Sequence, residues 1–461
     1  MSKRASLIVL EFNELTPAVM DRYIAAGKLP NFAALKNRSR LFVTDAEETP
    51  PNLEPWIQWV TVHTGLRFGD HGIFLLGDSA KIAHDSIWDV AGRNGRSSWI
   101  CGSMNASRGP DFKGTILPDP WSVHVRPNDA KLLPYFEFVR SQVMEYTRTG
   151  STYSLMAAAK FLWFMVRNGL RASTVWAVIK QLWSERSAKT SWKRATILDR
   201  LQFDVFRSYY KRAKPELSTF FLNSTAHYQH VYWRNMDPGP FSIKPSAAEQ
   251  QAQQNAVLYG YQSMDLIVGD VLKLARPNTT IVLVSALGQQ PCLTYENVGG
   301  KCFYKPEDYK AFLRFAEIDS ERFAAEPVMS EEFHIRFDSE ESARVGCERL
   351  RSIRVLDRPA LNVREDGASA MVGCCIFSEL PPDVMIKGPG GEKRFRDLFY
   401  FVDTKKSGMH HPHGIFWVAT PDVAEVGTRE PRTIGLVDVA PTLLKLIGLP
   451  APPSMQGTAA V

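Results

Sequence analysis

The chain has 461 residues, 44% hydrophobic and 23% charged, with a net charge of +6; this is the make-up of a globular protein of one elaborated domain or two to three lobes, and excludes a disordered or fibrous chain. Its six cysteines (Cys101, Cys292, Cys302, Cys347, Cys374 and Cys375) are scattered apart from the last adjacent pair, which excludes a disulfide framework or a zinc spacing and implies reduced, structural thiols. No uncharged run reaches membrane-spanning length and the start MSKRASLIVLEFNEL is too brief for a signal-peptide core, so the expectation is a cytoplasmic location, peripheral at the inner membrane face if a basic segment described below binds there.

Taken in order, Leu7–Leu10 is an aliphatic run suited to a strand buried in a parallel sheet. It leads into Glu11-Phe12-Asn13-Glu14, after which Thr16 can cap a helix starting at Pro17 and ending near Gly27. Strand, polar turn and helix open an α/β fold, whose ligands gather at the carboxyl ends of the strands. Between Leu53 and Phe74 a loop ends at Glu54, Pro55 suits a first helical position, Trp56, Trp59, Val60 and His63 share one helical face, and Gly65 is the stop. Glu54 therefore stands at the positive end of a helix, where it either caps the helix or faces a substrate.

The segment 110–214 interrupts the α/β rhythm with a helical pattern from Ser154 to Trp183, and a helical cap over the site is expected there. Lys131–Lys214 holds sixteen Lys/Arg against five Asp/Glu, a local +11 against −5 for the remainder. This block, with Phe161, Trp163, Phe164, Trp176 and Trp183 interleaved, reads either as a face for an anionic partner or membrane surface, or as a solvated helical face over an aromatic core. No recognition motif accompanies it, so nucleic acid is not expected as a partner. Core elements resume with a strand at Leu217–Leu222, a helix at Asp265–Ala275 and a strand at Thr280–Val284. A small α/β insertion without evident chemistry follows, with a strand at Glu332–Phe337, a helix at Glu340–Leu350 and a strand at Met371–Phe377. The expected organisation is a core in three parts (1–109, 215–315 and 401–461), interrupted by the basic helical cap (110–214) and the small insertion (316–400).

Five stretches in order resemble the alkaline phosphatase superfamily, in particular its type I phosphodiesterase/nucleotide pyrophosphatase and phosphoglycerate-mutase-like branches. They are Asn13-Glu14 with LPNFAAL at Leu29–Leu35; Thr64-Gly65-Leu66 with His71-Gly72-Ile73; NSTAHYQHVYWRNMDP at Asn223–Pro238; the end of the strand at Ser285-Ala286-Leu287-Gly288; and Gly408-Met409-His410-His411-Pro412-His413-Gly414 with Asp438–Leu444 and Met455-Gln456-Gly457. The resemblance implies a mostly parallel mixed α/β sheet between helices, and a phosphoryl, phosphodiester or sulfuryl transfer site built on two metal ions. His230 and His410 fall on two of the family's metal-binding histidines. The carboxylates do not survive: the family's aspartates fall on Asn13, Ala226 and Ala286, and Leu287 replaces a histidine. Counting back from Thr64, the family's Ser or Thr nucleophile falls near Pro55 or Glu54. A second metal held in the usual way is therefore excluded, and the expectation is at most one divalent metal ion, recruited with Glu14, Glu54 or His227.

The replacements are polar and map to one rim. Glu54 is read as base or nucleophile, with His230 and His410 as phosphate-binding groups or acid, and Glu14 as a fourth catalytic candidate. Asn13, His227, Gln289, Gln290 and His413 are read as substrate-binding, whereas His63 and His71 are expected to satisfy local hydrogen bonds. The resulting expectation is an atypical enzyme acting at a phosphoester or nucleotide-linked substrate by hydrolysis or transfer, with one metal or none. A glycosyl or other group transferase using a nucleotide- or lipid-linked donor, and a non-catalytic descendant binding a glycan, phosphate or protein, stand as alternatives.

Overall fold

In the computed structural model, residues 5–122, 124–144, 155–186, 190–328, 331–421 and 430–461 are described. The aliphatic run near the start forms Ser6–Phe12 (β1), buried along its whole length, and lies at the centre of an eight-stranded sheet. Parallel to it on one side are Leu217–Leu222 (β5), Ser98–Cys101 (β3) and Gly114–Leu117 (β4). On the other side are Thr279–Ser285 (β6), parallel to β1, then the antiparallel strand His413–Ala419, then Arg40–Asp45 (β2) and Arg432–Gly435. The sheet is thus mixed and mostly parallel, as expected. Alternation along β1 divides the core: Ile8, Leu10 and Phe12 join the apolar cluster on one face, Leu7 and Val9 that on the other, so helices cover both sides.

The helices that position the site follow their sequence signals. Pro17–Ala25 (α1) starts at its proline, yet the Thr16 side chain makes no cap bond. Its hydroxyl is instead engaged with the backbone of Gln289. Pro55–Thr64 (α3) is buried from Ile57 onward and ends on Gly65, whose φ of +66° is the left-handed cap a glycine supplies without strain. The helix expected from Asp265 begins nine residues earlier, at Ala256, and runs to Leu274. Gly260 weakened the helical signal there, but it lets the neighbouring helix Ser224–Met236 approach: a Cβ at Gly260 would lie 2.6 Å from the Tyr228 ring.

The segment expected as a helical cap opens with β4, which pairs parallel to β3 as the sheet's edge strand, and only then turns helical. The single helical stretch read from Ser154 to Trp183 is two helices, Leu155–Arg167 and Ala172–Ser184, broken at Gly169 with φ +96°; Ser154 itself lies outside the described residues. The later insertion carries its own apolar cluster, from Tyr304 to Phe399, around two small antiparallel sheets.

Candidate active site

The turn after β1 builds the centre of the site. Glu14 has φ +58°, a left-handed conformation that costs an L-residue of order 1 kcal/mol or more and persists only where its surroundings hold it. They do. The Gln229 amide donates to the Glu14 carbonyl at 2.6 Å, the Leu15 amide donates to Ser285 Oγ at 2.8 Å, and the Thr16 amide donates to the Tyr261 hydroxyl at 3.0 Å. The turn is tied to the helix carrying Gln229 (Ser224–Met236), to the helix carrying Tyr261 (Ala256–Leu274) and to the end of β6, and its carboxylate is buried.

Two histidines converge on that carboxylate. His230, on the helix Ser224–Met236, places Nε2 3.0 Å from Glu14 Oε2, while its Nδ1 is 3.0 Å from the Gly408 carbonyl. The Gly408 carbonyl can only accept, so Nδ1 carries a proton and Nε2 is the nitrogen turned to Glu14, where a bound cation would take the place of the proton Nε2 shares with the carboxylate. His410 arrives on the strand Gly408–His411, which pairs antiparallel with Gly288–Pro291 (β7) so that His410 lies opposite Gln289. Its Nε2 is 3.5 Å from Glu14 Oε2 and its Nδ1 3.5 Å from Glu54 Oε2. Gln289 donates from Nε2 to Glu14 Oε2 and to the Ala226 carbonyl, fixing the carboxylate. Gly408 is required at the crossing: a Cβ would stand 2.3 Å from Gln289 Oε1 and 2.5 Å from the Gln229 carbonyl.

The electrostatics suit a cation. Burial pushes the Glu14 carboxyl up, but His230 and His410, with hydrogen bonds from His230 and Gln289, outweigh it and hold its pKa at about 2. Burial lowers His410 to about 3 against the opposing pull of Glu14, so at neutral pH it is an uncharged imidazole with a lone pair to give. Ligand atoms of Glu14, His230 and His410 all lie within 4.8 Å of one another. One anionic oxygen and two imidazole nitrogens with an open position form a donor set that fits a single zinc-like ion. The residues do not fit a second: Ala286 and Leu287 are buried and apolar, and Ser285 Oγ is committed to the Leu15 amide and the Leu287 carbonyl.

Glu54 precedes α3 but its side chain makes no capping bond, so the capping role open to it from sequence is not the one it takes. It turns toward His410, and burial, opposed by Lys406 and reinforced by Glu332 and Glu14, raises its pKa to about 8. Of the other predicted residues, Asn13 is a buried scaffold: Nδ2 donates to Glu14 Oε1 and Asn223 Oδ1, both at 2.8 Å, and Oδ1 accepts from Trp59 Nε1 at 2.8 Å. Gln290 donates to the His410 carbonyl at 3.0 Å, holding the strand rather than facing the cluster. His227 lies beside the Tyr228 ring, and burial keeps it neutral, with a pKa of about 4. His413 is not brought to the cluster; it is exposed, with Nε2 3.6 Å from Asp45 Oδ2. His63 bonds buried Glu11 at 3.0 Å, and His71 Nδ1 accepts from the Ile73 amide at 3.1 Å, both local roles.

Sequence reasoning missed the charges around Glu54. Lys406, four residues before His410, acts on both Glu54 and His410, and Glu332 and Arg364 reach Glu54 from the small insertion, which therefore carries charge to the rim. The Lys405-Lys406 pair beside the histidine motif was a signal; nothing local marks Arg364, whose guanidinium is 2.7 Å from Glu332.

Compared with solved structures, the chain is similar to human ectonucleotide pyrophosphatase / phosphodiesterase 5 (12% identity, 98% of this chain and 97% of that one, TM-score 0.44). It is also similar to phosphonoacetate hydrolase from Sinorhizobium meliloti 1021 in complex with phosphonoacetate (12%, 96% and 95%, TM-score 0.42). A third similar structure is BT4656 in complex with D-glucosamine-2-N,6-O-disulfate (13%, 99% and 79%, TM-score 0.39). No curated protein matches the sequence. The family model described as type I phosphodiesterase / nucleotide pyrophosphatase matches residues 7–334, more than two thirds of the chain, and the protein belongs to that family, within the alkaline phosphatase superfamily.

Proposed function

We propose that the protein hydrolyses a phosphodiester or pyrophosphate bond in a phosphorylated or nucleotide-linked substrate, with one divalent cation held by Glu14, His230 and His410 and with Glu54 as the proton acceptor. The observation that carries this reading is the left-handed Glu14, whose carboxylate oxygen stands 3.0 Å from one imidazole nitrogen and 3.5 Å from a second. A conformation that strained, held by so many bonds, is accounted for if the carboxylate must occupy that point.

A cation bound there would neutralise charge building on the phosphoryl oxygens. The chain's own residues supply the rest. Gln289 and the Gly408 carbonyl hold the donors in orientation, and Lys406 and Arg364 offer positive charge to an anionic substrate at the Glu54 side. Water forms the new P–O bond while the P–O bond to the leaving group breaks, its electron pair staying on the leaving oxygen. Glu54 takes the proton the water sheds; burial holds its carboxyl up, and a cation at Glu14 would draw it down toward the ionised form that accepts a proton.

The test is to load the full chain with zinc or manganese, measure bound metal by mass spectrometry, and follow release of nitrophenol from bis-nitrophenyl phosphate. One ion per chain, lost together with turnover in Glu14→Gln, is expected. Turnover that survives both chelation and Glu14→Gln would overturn the reading. Product formation that requires an alcohol or sugar acceptor would replace hydrolysis by transfer.

A further inference from the structure

The two consecutive helices of the basic segment both turn large apolar side chains outward, and the second is built inside out. On Ala172–Ser184 the buried positions are polar, Thr174 and Gln181, one heptad apart. Trp176, Ile179 and Trp183, at i, i+3 and i+7, face outward, the two tryptophans 63% and 68% exposed. On Leu155–Arg167, Phe164 and Met165 face inward, while Leu162 and Trp163 (60% exposed) face solvent. Of the sixteen large apolar side chains exposed among the described residues, ten lie on these two helices. A soluble protein seldom leaves apolar side chains gathered in this way without a use for them.

The charges define what fits. The two helices carry Lys160, Arg167 and Lys180 and not one Asp or Glu. The Arg167 guanidinium sits 4.4 Å over the Trp163 ring, a cation and an amphipathic ring presented together at the surface. At 13 residues each, the helices are about 20 Å long, short of the roughly 30 Å of a bilayer core. No helix among the described residues is long and apolar enough to cross a membrane.

The mounting is firm and leads to the site. Arg171, between the helices, bonds Asp204 and Asp270, and its amide donates to Asp204 Oδ2 at 3.0 Å; Arg212 donates to Asn168 Oδ1 at 2.9 Å. The outward apolar faces therefore are not needed to hold the pair in place. Just beyond it, the Trp192 carbonyl accepts from the Tyr228 hydroxyl at 2.9 Å, on the helix that carries His230.

We infer that these two helices dock the protein on an anionic lipid bilayer surface, lying in the headgroup layer with Trp163, Trp176 and Trp183 inserted and Lys160, Arg167 and Lys180 against lipid phosphates. Docking through this pair ties the active-site helix to the membrane plane. The inference is independent of the chemistry proposed above. It is tested by sedimenting the full chain with phosphatidylcholine vesicles with and without phosphatidylglycerol, alongside light scattering for oligomeric state. At least about tenfold more protein is expected on the anionic vesicles. Lys160→Glu with Lys180→Glu should bring binding down to the neutral-vesicle level. Trp163→Asp with Trp176→Asp should abolish it with an unchanged melting temperature, since both rings are exposed. Wild-type protein left in the supernatant of anionic vesicles overturns the inference, as does equal binding to neutral ones. A stable dimer that the tryptophan variant splits, without vesicle binding, overturns it in favour of a second copy of the chain as the occupant.

Discussion

Glu14 concentrates the case at the scale of single residues. Removing its charge in Glu14→Gln should weaken metal binding by more than the roughly 10–100-fold typical of an outer-shell partner, whereas Gln289→Leu, which only loses the donor to Glu14, should fall inside that range. Titration of bound metal against a competing chelator measures both. Glu54→Gln should lower kcat on the order of 100- to 10,000-fold with little change in KM, the pattern of a group that acts in the transition state and not in substrate binding. The same neighbourhood blocks a return to the family's usual aspartate at position 13. Asn13 Nδ2 donates to Glu14 Oε1 at 2.8 Å, so Asn13→Asp would set two carboxylates oxygen to oxygen in a buried site. His230 and His410 were legible in the sequence because their motifs survive around them. Glu14 was legible only as a neighbour of the aligned position, since its left-handed backbone is what turns it inward.

At the scale of elements, strands and helices with strong apolar patterns were read closely: Leu217–Leu222 has the bounds expected, and α3 runs from its proline to its glycine. What was hidden are elements whose reason lies in a distant partner. The strand Gly408–His411 exists by pairing with β7, and only that register sets His410 opposite Gln289. The Gly408→Ala substitution should therefore destabilise by roughly 1–3 kcal/mol and cut turnover, because the added methyl must displace Gln289 or the Gln229 carbonyl. Chemical denaturation and the diester assay together check this. The helix Ala172–Ser184 gives the opposite lesson: its apolar periodicity was plain from sequence, but which face points inward was not, since Thr174 and Gln181 are the ones buried.

At the scale of the whole molecule, pH acts through a buried carboxyl outside the Glu14 cluster. Asp199, on the helix Ala195–Ala213, accepts from Ser224 Oγ, and burial, only partly offset by that bond, raises its pKa to about 7 from the usual 3.8. The folded protein thus holds this proton more tightly than the unfolded chain. Its stabilising contribution is complete below pH 4, declines as pH rises toward 7, and is gone above it, by on the order of a few kcal/mol. In Asp199→Asn that slope should vanish, leaving the variant more stable than wild type at pH 8 relative to pH 5 in thermal melts. The small insertion also acts at a distance. Its cluster from Tyr304 to Phe399 is an apolar nucleus separate from the two that sandwich the sheet, yet Glu332 and Arg364 project from it onto the surroundings of Glu54. Loosening of that lesser body on heating would strip Glu54 of its electrostatic setting while the sheet is still intact. Inactivation should then precede the main calorimetric transition, and the temperature ceiling of the proposed activity would be set by the molecule's least substantial part.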